Sequence, residues 1–306
     1  MPVSLVSQGV QYSNGTTRTS GKWATRAIFG YGSIGSNTGI TNLVNNYGGV
    51  ATDTTGVGTA RRELAAAGYG GDRAIFGYGI TITSLTNLVS NLGVVGADVT
   101  GVGTARSGLA AAGYGTDKAI FGYGTSGSGL SMSNLVSNIG VVGTDVTGVG
   151  TARYGLAAAG YGVDKAIFGY GQSGVYSSLT NLVSNAGVVA TDTTGVGTGR
   201  EYLAAAGYGG DKAIFGYGST GTMVSITNLV SNTGVVATDT TGVGTARYLL
   251  AAAGYGGDKA IFGYGSNGAG TRYNLTNLVS NLGVVGSDVT GVGSTRFSLS
   301  AASYSS

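Results

Sequence analysis

Short runs of apolar, β-branched and aromatic residues alternate with glycine-rich turns along the whole chain, a pattern typical of strands and tight turns. The string AIFGYG recurs six times, and successive copies begin 47, 45, 47, 47 and 47 residues apart. The copies begin at Ala27, Ala74, Ala119, Ala166, Ala213 and Ala260. A period of this length is typical of solenoids, arrays and propellers.

Each repeat predicts four β-strands, which we label A to D. Strand A is RxxLAAAGY, strand B is KAIFGYG, strand C is TNLVSN and strand D is GVVATDT. A Gly-x-Asp turn joins A to B and an Asn-x-Gly turn joins C to D, because Asn and Gly tolerate the positive φ of tight hairpins. A helix over Leu-Ala-Ala-Ala is the competing interpretation, but Gly-Tyr-Gly ends it within about one turn.

The two ends of the repeat array complement each other. The first repeat begins at strand B, preceded by Lys22, Trp23 and Arg26, whereas the chain ends with Arg296 and a lone strand A, FSLSAASYSS. We expect this C-terminal strand to complete the N-terminal blade, because closure removes exposed sheet edges. The sequence therefore predicts an all-β fold: a six-bladed β-propeller of four-stranded antiparallel blades over residues 22–306. Residues 1–21 are predicted to be an N-terminal extension or attachment segment.

The composition excludes several kinds of catalytic and metal site. The 306 residues include 61 Gly and one Pro but no Cys and no His, and 42% are hydrophobic. Interior Gly destabilises helices, whereas the apolar fraction is sufficient for a packed core. Without Cys or His, the chain has no disulfide, thiolate nucleophile, imidazole base or ordinary zinc or copper site. We expect no cofactor and no enzymatic activity.

Charge and hydropathy exclude two classes of partner, nucleic acids and the membrane interior. There are 16 Lys and Arg against 13 Asp and Glu, so the chain lacks the dense basic surface of a nucleic-acid binder. No signal-peptide pattern and no run of about 18 apolar residues occurs, so we expect no membrane insertion. We expect an extracellular or virion-associated protein, with a cytoplasmic location left open.

Most charged residues recur at fixed repeat positions, which indicates a structural role. An Arg precedes each strand A, and an Asp lies near the end of each strand D; we expect the Arg to bind loop carbonyls or a neighbouring carboxylate. An axial ion or anion site is the alternative. The repeated Phe and Gly-Tyr-Gly tyrosines predict a core between blades. The Arg positions are Arg61, Arg106, Arg153, Arg200, Arg247 and Arg296, and the Asp positions are Asp53, Asp98, Asp145, Asp192, Asp239 and Asp288.

Variation is confined to two sets of positions. One set is the segment between strands B and C, and the other is the pair of residues after each repeat Arg. Antiparallel strands place both sets on one face of the predicted propeller. Large side chains concentrate there, and exposed Tyr among Ser, Gly and Asn suits ligand binding; drift at unconstrained loop positions is the alternative. The predicted ligand-binding residues are Arg62, Glu63, Tyr154, Tyr176, Tyr202, Met223, Tyr248, Arg272, Tyr273 and Phe297.

The repeats resemble kelch repeats. The matching features are an Arg before a small-residue strand, a hydrophobic strand that ends in close glycines such as Gly30 and Gly32, and a polar turn with a later apolar position. This resemblance implies a β-propeller. The kelch-like family includes a copper radical oxidase, whose Tyr–Cys cofactor and His ligands have no counterpart here. In composition the chain also resembles phage and virus appendage proteins, and a consensus-type engineered propeller would look similar.

These features favour a non-enzymatic structural or binding propeller within a larger extracellular or virion assembly. Its variable Tyr-rich face would bind a glycan or a protein partner, and residues 1–21 would contact the assembly. The alternative is a purely structural spacer or self-assembling subunit with no ligand on that face. Hydrolysis by paired carboxylates is not expected, because the only acids outside the repeat pattern, Glu63 and Glu201, lie three repeats apart.

Overall fold

A computed structural model of the protein describes residues 26–305 and, before them, the backbone of three short strands. These strands are β1 (Ser4–Val6), β2 (Gly9–Gln11) and β3 (Thr17–Thr19), and they form a small antiparallel sheet of their own. The remainder of the predicted extension, with Lys22 and Trp23, lies outside the described residues.

Six three-stranded antiparallel sheets make up the rest of the fold, and the all-β prediction is confirmed. Each sheet has its strands in the order first, middle, third. Sheet 1 contains β21 (Ser300–Tyr304), β4 (Arg26–Gly30) and β5 (Thr41–Val44); sheet 2 contains β6 (Ala65–Tyr69), β7 (Arg73–Gly77) and β8 (Thr86–Val89); sheet 3 contains β9 (Ala110–Tyr114), β10 (Lys118–Gly122) and β11 (Ser133–Val136). Sheet 4 contains β12 (Ala157–Tyr161), β13 (Lys165–Gly169) and β14 (Thr180–Val183); sheet 5 contains β15 (Ala204–Tyr208), β16 (Lys212–Gly216) and β17 (Thr227–Val230); sheet 6 contains β18 (Ala251–Tyr255), β19 (Lys259–Gly263) and β20 (Thr276–Val279). The described residues form no helix that is long and apolar enough to span a membrane.

The fourth segment of each repeat differs from the prediction of a regular strand D. In sheet 2 it pairs with β8 only through the isolated bridges Thr86–Val99 and Val89–Val95. Two residues separate these partners on β8 but three separate them on the fourth segment, so the extra residue forms a bulge. The Asn87 side chain enters the bulge and donates to the Gly96 carbonyl at 3.0 Å, in place of a regular ladder bond.

The middle strands form the core because they are continuous apolar runs with packing on both sides. In β10, Lys118 is exposed at the start, whereas the other four residues are buried. Gly122 closes this strand, and a Cβ there would lie 2.6 Å from the Cζ of Phe168 in sheet 4. The glycine at the end of each middle strand therefore makes room for the Phe of the next sheet.

Adjacent sheets are joined by a repeated set of aromatic and cationic contacts. Tyr78 of sheet 2 packs edge-on against Phe121 of sheet 3, with ring centroids 5.1 Å apart. The Arg106 guanidinium lies 4.4 Å from the centre of the same Tyr ring, which favours a cation–π contact. Tyr264 of sheet 6 makes the equivalent contact with Phe29 of sheet 1. The predicted role of the repeated Phe and Tyr as core between the units is confirmed.

The first strands of the six sheets surround a common centre. Each first strand contacts the next in order, and β21 contacts both β18 and β6. These strands are rich in Ala and Gly, and small side chains allow the backbones to approach closely. The arrangement is propeller-like, and its middle is a cavity lined by all six first strands.

Candidate binding face

The structure brings the two variable sets of the sequence together. The first residue after a repeat Arg pairs with the first residue of the loop between the middle and third strands, as in Tyr154–Gln172 and Glu201–Ser219. We call this side of the molecule the variable face. It consists of the pairs Arg62–Glu63, Ser107–Gly108, Tyr154–Gly155, Glu201–Tyr202, Tyr248–Leu249 and Phe297–Ser298, and of the loops 33–40, 80–85, 125–132, 172–179, 219–226 and 266–275.

The repeat Arg residues are buried beneath the variable face and hydrogen-bond to the backbone segments that form it. Arg106 is fully buried, and its Nε donates to the Tyr123 carbonyl at 2.8 Å. Its Nη1 donates to the Thr104 carbonyl at 3.0 Å and its Nη2 to the Asn134 amide oxygen at 2.7 Å. The prediction that these arginines bind loop carbonyls is confirmed, and such charge-assisted bonds fix the start of each first strand.

The repeated Asp residues belong to the same framework. Asp145 accepts hydrogen bonds from the backbone N–H and the hydroxyl of Thr104, at 3.0 and 2.7 Å from Oδ2. Burial acts to raise the pKa of Asp145, but the hydrogen bonds from Thr104 and Asn134 and the charge of Arg106 outweigh it and hold the pKa below its usual value. The carboxylate therefore joins the fourth segment of the sheet to the linker that enters its first strand.

Six residues form a hydrogen-bonded ring at the centre of the variable face, and we call it the central ring. Each is the second residue after a repeat Arg, and each has a positive φ between 49° and 63°. The backbone N–H of each donates to the carbonyl of the corresponding residue in the preceding sheet, over 2.6 to 3.0 Å. The members are Glu63, Gly108, Gly155, Tyr202, Leu249 and Ser298.

Sequence reasoning missed the central ring because its side chains differ from repeat to repeat. The shared feature is the left-handed backbone, which Gly adopts readily and other residues adopt at a cost of about 1–2 kcal/mol. Two of the six positions, Gly108 and Gly155, carry the residue that this conformation favours. The other four positions, Glu63, Tyr202, Leu249 and Ser298, adopt this conformation in spite of that cost.

Two carboxylates interact at the central ring. Burial raises the pKa of Glu63, although the charge of Arg62 and a hydrogen bond with Ser107 oppose the shift. Burial, followed by the negative charge of Glu63, raises the pKa of Glu201. Three repeats separate these acids in the sequence, yet Glu63 and Tyr202, the residue that follows Glu201, belong to the same hydrogen-bonded ring around one centre.

Three tyrosines lie in the same part of the variable face, and Tyr202 is close enough to both acids for their charges to act on it. Tyr202 and Tyr248 lie edge-to-face with ring centroids 6.2 Å apart, and the Tyr154 hydroxyl donates to Gln172 Oε1 at 2.8 Å. Burial raises the pKa of Tyr202, and the charges of Glu63 and Glu201 add to the shift. Thus five of the ten residues predicted from the sequence gather at the centre of the face: Arg62, Glu63, Tyr154, Tyr202 and Tyr248.

The other predicted residues lie in loop contacts between neighbouring sheets. Tyr176 is 39% exposed and lies beside Gly221 of the next sheet. Arg272 lies 5.9 Å from the Phe297 ring and donates to the carbonyl of Ile34. The last two predicted residues contact other loops or buried groups. Met223 packs beside Gly268, and the charge of Tyr273 acts to raise the pKa of the buried Arg247.

A cavity of about 110 Å³ opens at the central ring. Its walls are Leu and Ala side chains of the first strands, and the ring residues form its polar rim. The Ser298 hydroxyl on this rim belongs to a residue that is only 4% exposed, and it has no hydrogen-bond partner among the described residues. The Leu residues of the wall are Leu64, Leu109, Leu156, Leu203, Leu250 and Leu299.

The opposite side of the molecule, which we call the turn face, has a different character. It carries two groups of turns. The first group joins first strands to middle strands, and the second group joins third strands to fourth segments. The two groups are in contact: in sheet 3, Asn138 of the second group donates to Asp117 of the first group at 3.2 Å. Large apolar residues are exposed in the second group of turns, with Tyr47 at 83% and Leu282 at 78%. Lys and Asp pairs such as Lys118 and Asp117, 3.6 Å apart, lie in the first group.

Comparison with known proteins assigns no family to the chain. No protein-family model matches it, and no curated protein matches it. The resemblance to kelch repeats therefore depends on the residues of the repeats alone.

Proposed function

We propose that the six sheets are the blades of a closed six-bladed β-propeller built from kelch-like repeats. The bridged fourth segment is the outermost strand of each blade, and β21 completes the first blade. Two observations support closure: β21 pairs along its whole length with β4, from Ser300–Gly30 to Tyr304–Arg26, and it also contacts β6. In this arrangement no middle strand has an unpaired edge.

We propose further that the protein is a non-enzymatic binding module of a larger extracellular or virion assembly. Its variable face binds a glycan or a protein partner. The observation that carries this proposal is the cluster of Glu and Tyr side chains at the central ring, where the backbone conformation favours Gly. Tyr and Arg are the residues that most often anchor binding surfaces, because they bury a large area and retain polar groups.

The path of the chain supports an outward orientation of the variable face. Arg26 opens β4 at the turn face, and Ser305, which follows β21, donates its backbone N–H to the Asp72 carbonyl in a turn of the same face. The described chain therefore enters the propeller at the turn face, and we propose that residues 1–21 contact the assembly on that side. Attachment through this segment leaves the variable face free for a partner.

A matched pair of triple variants tests the binding role. In one variant Tyr154, Tyr202 and Tyr248 are replaced by Ala. The control carries Tyr47→Ala, Leu92→Ala and Leu282→Ala on the turn face. Both are applied to glycan and protein arrays beside the wild-type chain. We expect the first variant to lose the wild-type signals and the control to retain them; unchanged binding by the first variant would overturn the assignment of the face.

The turn face favours a second candidate function, that of a self-assembling spacer. Contiguous exposed apolar residues are typical of protein contact surfaces. Leu92 and Ile139 are 66% and 67% exposed there, beside Val94 and Val141. Sedimentation of the wild-type chain, of a Leu92→Ser, Ile139→Ser and Leu282→Ser variant, and of a chain without residues 1–21 tests it. Wild-type oligomers that dissociate in these variants, together with no array ligand, would favour the spacer.

A further inference from the structure

The central cavity combines an apolar wall with an acidic rim. Six Leu side chains and the adjoining Ala residues form the wall, and Glu63 lies on the rim with a side chain that is 19% exposed. Arg62 is the cation that pairs with this carboxylate among the described residues, with its Nε 4.0 Å from Glu63 Oε1. Glu201 adds a second carboxylate whose charge interacts with that of Glu63. The rim therefore has an excess of negative charge that a cationic ligand would neutralise.

Two buried polar atoms, one in the lining of the cavity and one beside its rim residue Gly155, have no hydrogen-bond partner among the described residues. They are Glu201 Oε2 and the Ser298 hydroxyl oxygen. Ser298 is 4% exposed and lines the cavity itself. Leaving a buried polar group unpaired costs about 1–3 kcal/mol, and more for a charged group. Both oxygens accept hydrogen bonds, so a ligand that donates several would satisfy them together.

We propose that the central cavity binds the side chain of a lysine presented by a protein partner. The ammonium group donates to the Glu63 and Glu201 carboxylates and to the Ser298 hydroxyl, since it offers three N–H donors. The methylene stem of the lysine packs on the Tyr202 and Tyr248 rings, which also attract the cation. This inference rests on the proposed binding role of the variable face and names the partner as a protein.

The apolar wall of the cavity favours a methylene chain over a sugar ring. Six Leu side chains line this end of the cavity, and they suit the unbranched stem of a lysine. A pyranose ring carries hydroxyl groups that the Leu wall leaves unpaired, which is costly for buried polar groups. A lysine stem lacks this disadvantage, so the observations favour a lysine over an amino sugar.

Titration calorimetry with the full-length chain tests this inference. The probes are a heptapeptide of Gly and Ser with one central lysine, the same peptide with acetyl-lysine, glucosamine, and calcium chloride. We expect the lysine peptide to bind at least ten times more tightly than the acetyl-lysine peptide, because acetylation removes the charge. We expect Glu63→Gln and Glu201→Gln each to weaken lysine binding about tenfold, as loss of a charge-assisted bond does. Asp164→Asn on the turn face is the control and leaves binding unchanged.

Equal binding of the two peptides, or binding of neither, would overturn the inference. Binding of glucosamine without the lysine peptide would assign the rim to an amino sugar, and binding of calcium alone would assign it to a metal ion; either result also contradicts the lysine site. The thermal unfolding of each variant is first followed by circular dichroism, so that loss of binding is distinguished from loss of the fold. In a further combination of results, the Tyr triple variant loses the array signals while the lysine and acetyl-lysine peptides bind the wild-type chain equally. That combination would support the proposed binding face and reject only the lysine site.

Discussion

At the scale of single residues, glycine has two separate roles in this protein. At the end of a middle strand it leaves space for an aromatic ring: Gly122 faces Phe168 of the next sheet at a distance that admits no Cβ. In the central ring, Gly108 and Gly155 adopt a positive φ that Glu63 and Tyr202 also adopt. The first role is structural and requires Gly. In the second, the same backbone conformation is adopted by residues other than Gly.

Gly122→Ala is expected to lower the free energy of unfolding by about 1–3 kcal/mol, because the new methyl group overpacks the contact with Phe168. Gly143→Ala in the same sheet is the matched control. A Cβ at Gly143 meets only the Leu135 carbonyl oxygen, at 3.5 Å, and the equivalent position of sheet 4 is already Ala190. Urea unfolding of both variants measures the difference. Equal effects would contradict the assigned role of Gly122.

Glu201→Gln is expected to stabilise the protein at pH 7. The pKa of this carboxyl is raised in the folded protein, so its ionised form is disfavoured there. The resulting penalty is absent below the unfolded pKa of about 4.3 and appears as the pH rises through the folded value. Urea unfolding at pH 7 and pH 3 should show a gain that vanishes at the lower pH. A loss of stability at pH 7 would contradict the unpaired state of Glu201 Oε2.

At the scale of the element, each sheet is held by side chains where its backbone ladder ends. The bulge opposite the third strand leaves room for an Asn side chain, and Asn134 donates both to the Gly143 carbonyl at 3.0 Å and to Asp145 at 2.9 Å. Asp145 in turn binds Thr104 of the linker, and Arg106 binds Asn134. This polar cluster recurs in all six sheets and replaces the regular fourth strand that the sequence predicts.

The Asp members of these clusters predict acid sensitivity. Each has a pKa below its usual value, so its stabilising contribution is complete above the unfolded pKa of about 3.9 and is lost as the pH falls through the folded value. We expect the melting temperature to fall steeply below about pH 4. Asp145→Asn should lower the melting temperature at pH 7 and reduce the acid-induced fall; an unchanged pH profile in this variant would contradict the role of the carboxylate. The six clusters contain Asp53, Asp98, Asp145, Asp192, Asp239 and Asp288.

At the scale of the whole molecule, sheets 1 and 6 interact as any other neighbours do. Arg296 of sheet 1 lies 4.6 Å from the Tyr264 ring of sheet 6, and that ring packs against Phe29 of sheet 1. Within sheet 1, Ser294 donates to Asp53 and β21 pairs with β4. The contacts within sheet 1 join residues more than 240 positions apart in the sequence, and they have the same form as those within the other five sheets. The proposed closed propeller makes the C-terminal strand essential to the stability of the N-terminal sheet.

Deletion of residues 299–306 tests this dependence. The truncated chain leaves one edge of β4 unpaired, and we expect a broadened, less cooperative unfolding transition and self-association. Added peptide LSAASYSS should restore the wild-type transition by pairing with β4, whereas a scrambled peptide should not. A truncated chain that unfolds as cooperatively as the wild type would contradict closure through β21.

The sequence was sufficient to predict the first three strands of each repeat, the buried aromatic residues and the role of the repeat Arg, because each recurs six times with its local turn signals. The bulge was not predictable, since the Asn87 side chain takes a hydrogen bond that a strand pattern assigns to the backbone. The proximity of Glu63 and Glu201 was missed because three repeats in sequence were read as distance, whereas the sheets surround one centre. The central ring was missed because Glu63 and Tyr202 adopt a backbone conformation that their side chains do not indicate.

If the repeated scaffold carries a binding face that is separable from the fold, a single multiple variant should lose binding and keep the fold. In this variant the other five variable pairs are replaced by Ser-Gly, the pair that sheet 3 already carries as Ser107 and Gly108. Its thermal unfolding and its binding on glycan and protein arrays are compared with those of the wild type. We predict a melting temperature at or above that of the wild type, since Gly relieves the positive φ, together with loss of every array signal. Retained signals on a folded chain would contradict a separable binding face.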